Sequence, residues 1–134
     1  MAENMSIFDI SGRAMAAQLV RLNTTASNLA NAGTVSGSEG TAFRSMKPVF
    51  RTIMGEAGKA TVQVDRIDNN TTAPVKRYQP DHPLADKNGN VWEAAVDSAA
   101  EMVEMLETSR QYQNNVQVLA TAKGLISETL RLGQ

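Results

Sequence analysis

Residues 5–29, MSIFDISGRAMAAQLVRLNTTASNL, decide the fold. Alternating steps of three and four residues run through Met5, Phe8, Gly12, Met15, Leu19, Leu22, Ala26 and Leu29, a heptad seam with one gap at Gly12. Ser6 with Asp9 three residues later resembles a capping box and starts this helix. The helix is expected to end near Asn31 to Gly33, with Gly33 supplying a left-handed cap. From Ala14 to Thr34 the only charge is Arg21. A solvated helix usually carries charge opposite its apolar stripe. Ser, Thr, Asn, Gln and Ala there instead suit a helix that meets other helices on several sides.

The far end of the chain repeats the pattern. Met102, Met105, Ser109, Tyr112, Val116, Leu119, Lys123, Ile126 and Leu130 follow the same stepping, less purely. From Thr108 to Ala122 the only charge is Arg110. Ser98-Ala99-Ala100-Glu101 reads as a capping box, with Asp97 as a competing N-cap. No proline follows as far as Leu132, so about 35 helical residues would span about 50 Å. That exceeds what one small domain buries, and intermolecular contacts are inferred along the helix. Gly12 inside the front seam costs roughly 1 kcal/mol against Ala, which close approach of a neighbouring helix would offset. Seven methionines fit such contacts as adaptable fillers.

Residues 35–95 read as irregular and β-rich. Val35 to Gly40 has the composition of a flexible loop. Phe43 to Phe50 is an edge or irregular strand because of Pro48, and Ala60 to Ile67 is a clearer one, with Val62 and Val64 on one face. Gly55 to Lys59 is the turn between them, Asp68 to Thr72 a polar break, and Val75 to Tyr78 a further short strand. Asn88-Gly89 signals a tight hairpin before Val91-Trp92. The expected fold class is mainly α with a small β-rich insertion. Residues 1–34 and 96–134 form one discontinuous coiled-coil unit, and 35–95 the central element.

The chain has 134 residues, 42% of them hydrophobic, with a net charge of −1 and no cysteine. The size is one ordinary domain. Near-neutral charge points to no nucleic-acid partner, and the lack of cysteine excludes a disulfide framework, a thiol nucleophile and a thiolate metal site. No apolar run approaches the roughly 20 residues of a membrane span, and residues 1–10 lack the features of a cleaved signal. His82, the single histidine, has no partners at ligand spacing and reads as a turn residue. Asp86-Lys87-Asn88-Gly89-Asn90 resembles half a calcium loop, but its glycine is misplaced and Asp97 stands where a bidentate Glu is needed, so it too reads as a turn. Catalytic, metal and cofactor sites are all expected to be absent. Glu101, Glu104 and Glu107 either complement the helix dipole or meet a neighbouring subunit.

Ala26-Ser27-Asn28-Leu29-Ala30-Asn31, followed by Thr34 and Gly37, resembles the N-terminal signature of the bacterial flagellar rod and hook axial proteins. The stretch from Tyr78 to Asp86, Val96-Asp97 leading into Glu101 to Met105, Ser109-Arg110-Gln111-Tyr112-Gln113, and the ending Thr129 to Gln134 are similar to the proximal-rod members of that family. The resemblance implies a structural subunit of the flagellar basal body, with Ser27, Asn28, Asn31, Arg110 and Gln113 as family-motif positions. It implies polymerisation through paired terminal helices into the axial tube that transmits torque and encloses the export channel. The implied partners are other rod proteins, further copies of the chain, membrane-ring or rod-adaptor components and the export apparatus. The implied location is the periplasmic rod, reached by export without a cleaved signal. From the residues alone, a soluble coiled-coil adaptor or export chaperone remains the alternative.

Overall fold

The computed structural model describes residues 6–55 and 58–133. Two helices flank a central region of two small antiparallel sheets. Helix α1 (Ile7–Ala30) leads to strands β1 (Val35–Ser36), β2 (Met46–Met54), β3 (Ala60–Asn69), β4 (Val75–Tyr78) and β5 (Asn90–Glu93), and helix α2 (Ser98–Leu132) follows.

Helix α1 begins as expected. The Ser6 hydroxyl accepts from the Asp9 N–H at 3.2 Å, and the Asp9 carboxylate accepts from the Ser6 N–H at 2.8 Å, a reciprocal capping box. The bond from Ser6 holds the Asp9 carboxyl below its ordinary pKa. The other end differs from expectation. Among the described residues only Gly58 and Gly89 are glycines with positive φ, so Gly33 is not a left-handed cap. Asn31 is the C-cap instead: its amide donates to the Ser27 carbonyl at 2.8 Å, and its own carbonyl accepts from Thr34. A side chain that closes the last turn removes the need for a left-handed residue there.

At the start of α2 the N-cap is Asp97, not Ser98. Its carboxylate accepts from the N–H groups of Ala99 at 3.0 Å and Ala100 at 3.2 Å. A carboxylate makes stronger bonds to amides than a hydroxyl and also suits the positive end of the helix dipole.

β2 and β3 form a long hairpin in which Met46 pairs with Asn69 and Met54 with Ala60. Val49 pairs with Arg66 and Phe50 with Val64, leaving Asp65 as the extra residue of a bulge. Asp68 and Asn69, expected in a polar break, lie within β3. Pro48 is accommodated because each strand of a two-stranded sheet is an edge. In the second sheet β5 lies between β1 and β4. Val35 and Ser36 pair with Glu93 and Trp92, so the segment read as a flexible loop opens with a strand. Two residues carry too little periodicity to be seen in advance. Tyr78 pairs with Asn90, so β4 and β5 are joined by a long loop, not a two-residue turn. That loop is closed by Asp86, whose carboxylate accepts from the N–H groups of Asn88 and Asn90, both at 2.8 Å. These bonds, that of Asn90 foremost, lower the Asp86 pKa. The turn readings of Asp86–Asn90 and His82 agree with this geometry: the His82 Nδ1 accepts from the Leu84 N–H at 3.1 Å.

α1 packs along α2 on one side and against both strands of the hairpin on the other. Buried apolar residues among those described are small: Ala17, Ala42, Val91 and Ala94. Buried Ser11, Thr24, Thr25, Asn28, Ser45, Thr61 and Thr108 share that interior. At about 25 cal/mol per Å² of apolar surface, so modest a core gives little driving force for an isolated subunit.

Candidate assembly surface

The faces that α1 and α2 turn towards each other combine a polar stripe with only part of each apolar seam. Gln18 Nε2 donates to Gln111 Oε1 at 2.9 Å, Arg21 lies 3.5 Å from Glu104, and Ile7 shares a groove with Val118, Ala122 and Leu125. These pairs run in opposite directions, so the helices are antiparallel. Ser11, Gln18 and Thr25 on α1 stand seven residues apart, as do Glu104 and Gln111 on α2. Thr25, Asn28 and Thr108 are at most 3% exposed. The polar stripe on α1 is thus one residue before Gly12, Leu19 and Ala26, the exposed half of the apolar stripe. It is also poorly satisfied: within the described chain, Thr108 Oγ1 and Gln18 Oε1 are buried, and neither has a hydrogen-bond partner of its own. Gln18 is the donor in its bond to Gln111, and its own carbonyl oxygen is left without a donor.

Each seam therefore straddles the edge of the helix contact, with about half of its residues exposed. On α1, Phe8, Gly12, Leu19 and Ala26 are exposed, and Met15, Leu22 and Leu29 are half-buried at the flank of the α2 contact. Met5 lies outside the described residues. A side chain at Gly12 would meet nothing within 4 Å in the subunit, so no intramolecular neighbour accounts for that glycine. On α2, Met102, Val116, Ile126 and Leu130 are exposed, and Met105, Tyr112 and Leu119 half-buried. Ile126, Leu130 and Leu132 form an exposed apolar end on α2, past the groove that Leu125 shares with Ile7.

The family-motif positions divide into two kinds. Asn28 is buried and its side-chain amide brackets the start of β2: Oδ1 accepts from the Met46 N–H at 2.7 Å, and Nδ2 donates to the Met46 carbonyl at 2.9 Å. Ser27 and Asn31 close the last turn of α1. Arg110 and Gln113 project from α2 and make no hydrogen bond or ion pair with the described residues; both are exposed. Of the acidic trio, Glu104 bridges to Arg21 within the subunit, and Arg21 also lies over the Phe50 ring at 4.8 Å. Sequence reasoning singled out Asn28 only through its motif. The polar stripe of Gln18, Thr108 and Gln111 was missed, because a pattern search ranks apolar residues first.

Among the described residues there is no group of three or more His, Cys, Asp or Glu that could hold a metal ion, and no helix long and apolar enough to cross a membrane.

Two family models match the ends of the chain. The model described as flagella basal body rod protein covers residues 8–36, and the model of the C-terminal part of flagellar basal body rod FlgEFG proteins covers residues 87–132. Curated relatives match nearly end to end. The flagellar basal-body rod protein FlgC of Salmonella typhimurium is 44% identical over 132 residues, 97% of this chain and 98% of the relative. That of Escherichia coli O6:H1 is 46% identical with the same coverage, and that of Buchnera aphidicola subsp. Schizaphis graminum is 34% identical over 138 residues. With helical ends that match the rod models and homology over almost the whole length, the chain belongs to the FlgC family of flagellar basal-body rod proteins.

Proposed function

We propose that the protein is a structural subunit of the flagellar proximal rod, and that the outward stripes of α1 and α2 are its assembly surface. One observation carries this reading: both helices leave a run of their seam residues exposed, Phe8, Leu19 and Ala26 on α1 and Met102, Val116, Ile126 and Leu130 on α2, where a soluble monomer would place charge. Neighbouring subunits and other rod proteins cover these stripes with coiled-coil packing, and the small residue at Gly12 lets a neighbouring helix approach closely. Residues 1–34 and 96–134 then act as one axial unit that builds the tube, transmits torque and encloses the export channel. Residues 35–95 stand on its outside. Arg110 and Gln113 make polar contacts to the neighbours. Export without a cleaved signal, and contacts with the membrane ring and export apparatus, complete the reading. The work is done by packing and not by chemistry.

Leu19→Asp tests it. The residue is 45% exposed, so the isolated subunit tolerates the change, whereas an assembled interface would bury an unpaired carboxylate. The expected result is loss of rods and of motility, with the variant expressed and as helical as the parent. Normal rods in this variant would reject the outward stripe as the assembly surface.

A further inference from the structure

On α1 the residues nearest full burial are polar or small, while Phe8, Leu19 and Ala26 of the apolar stripe stay exposed and Met15, Leu22 and Leu29 are only half-buried. Rolling α1 about its axis by one residue, about 100°, would turn exposed Leu19 towards α2 and complete the burial of Met15 and Leu22. Hydrophobic burial favours that roll. Gln18 and Thr108, buried with unmet hydrogen-bonding capacity, disfavour the arrangement observed. Something outside the helix pair must hold the azimuth of α1.

We propose that Asn28 is that lock: a positioning residue whose paired hydrogen bonds to Met46 keep the apolar stripe of α1 facing outward and available. The proposal rests on the assembly reading given above. Asn28 is 1% exposed and sits where α1, the start of β2 and the first turns of α2 meet. Its amide presents a donor and an acceptor in the same sense as a strand neighbour would, and Met46 answers with both of its backbone groups. Such a bidentate contact is directional. It is lost within a small rotation, because both distances and both angles must hold together. It is also buried, so breaking it leaves the Met46 N–H and carbonyl and the Asn28 amide without partners in a dry site. On the same side of α1, Ala17 and Thr24 are 6% and 4% exposed, so a roll must also lift them away from their packing. Buried polar groups that fix register at the expense of stability are a known device of helix pairs. Here the polar contact lies between helix and strand and sets rotation.

The absence of cysteine gives a clean background for the test. Two single-cysteine reporters, Leu19→Cys and Thr24→Cys, are placed in the full chain with and without Asn28→Ala, and maleimide labelling rates are measured on the purified protein. With Asn28 present, Leu19→Cys labels fast and Thr24→Cys slowly. With Asn28→Ala the proposal expects a reciprocal exchange: the Leu19→Cys rate falls about tenfold and the Thr24→Cys rate rises by a similar factor. Unchanged rates overturn it, and so does fast labelling at both positions with helix content retained, because Asn28 would then only hold the helix end. If Asn28→Ala loses its far-ultraviolet helix signal, Asn28→Asp decides by the same criterion, since it keeps the acceptor for the Met46 N–H and removes only the donor to the carbonyl. Motility separates this proposal from the one before it. A reciprocal exchange with normal rods upholds the lock and rejects the outward stripe as the assembly face. Lost rods with unchanged labelling reject the lock alone.

Discussion

At the start of α2, Asp97 and Ser98 compete for the same role, and the geometry assigns it to Asp97. Asp97→Ala is expected to lower stability by about 1 kcal/mol, while Ser98→Ala stays within about 0.5 kcal/mol; urea denaturation of the two variants side by side checks the assignment. Gly89 is a second position where one atom matters. Its φ is +75°, and an added Cβ would lie 2.9 Å from Tyr78 Cε2 and 3.0 Å from Pro80 Cβ. Gly89→Ala should therefore cost about 1–3 kcal/mol of local strain, read as amide shift changes confined to the loop between β4 and β5. Asp86 closes that loop as a carboxylate. Because its folded pKa is lowered, its contribution is present above the ordinary carboxylate pKa and is lost as pH falls through the lower folded value. The Asn88 and Asn90 amide signals should hold position on acidification past about pH 4 and move only below it, and Asp86→Asn should abolish that step.

The two helices differ in length and in what covers them. The 24 residues of α1 span about 36 Å and the 35 of α2 about 52 Å. The last turns of α2 carry exposed Ile126, Leu130 and Leu132, past the groove between Leu125 and Ile7. A chain truncated after Gly124 should keep the fold of the isolated subunit and lose rod formation, a result visible by isolating basal bodies. Normal swimming of that strain would show the helix end to be dispensable. Gly12→Leu makes the complementary point on α1. With nothing within 4 Å of the new side chain, the melting curve of the isolated subunit should not fall, and any defect should appear in assembled rods. The existence and length of both helices were legible from spacing and the absence of proline, and β3 and β4 from alternation. The two-residue β1 was not, since its place depends on pairing with β5, more than fifty residues away.

For the whole molecule, few and small fully buried apolar groups join helices many of whose larger apolar residues stay exposed. Such a subunit is expected to be weakly protected alone and to gain its rigidity from its neighbours. Hydrogen exchange on the isolated chain should find amides of Ala17–Asn28 and Val91 among the slowest, and those from Ile126 to Leu132 the fastest. Uniform strong protection to the end of α2 would contradict that picture. Local sequence determined where helices begin and how long they run, because caps and 3.6-residue periodicity act within a few residues. It also determined that each helix carries an apolar stripe. Which face turns inward was decided by the tertiary structure. That choice depends on contacts between distant segments: Asn28 with Met46, 18 residues on, and Gln18 with Gln111, 93 residues on. A periodicity read along one helix reports how apolar each face is, but what lies opposite that face is set only when the hairpin and the second helix have folded against it.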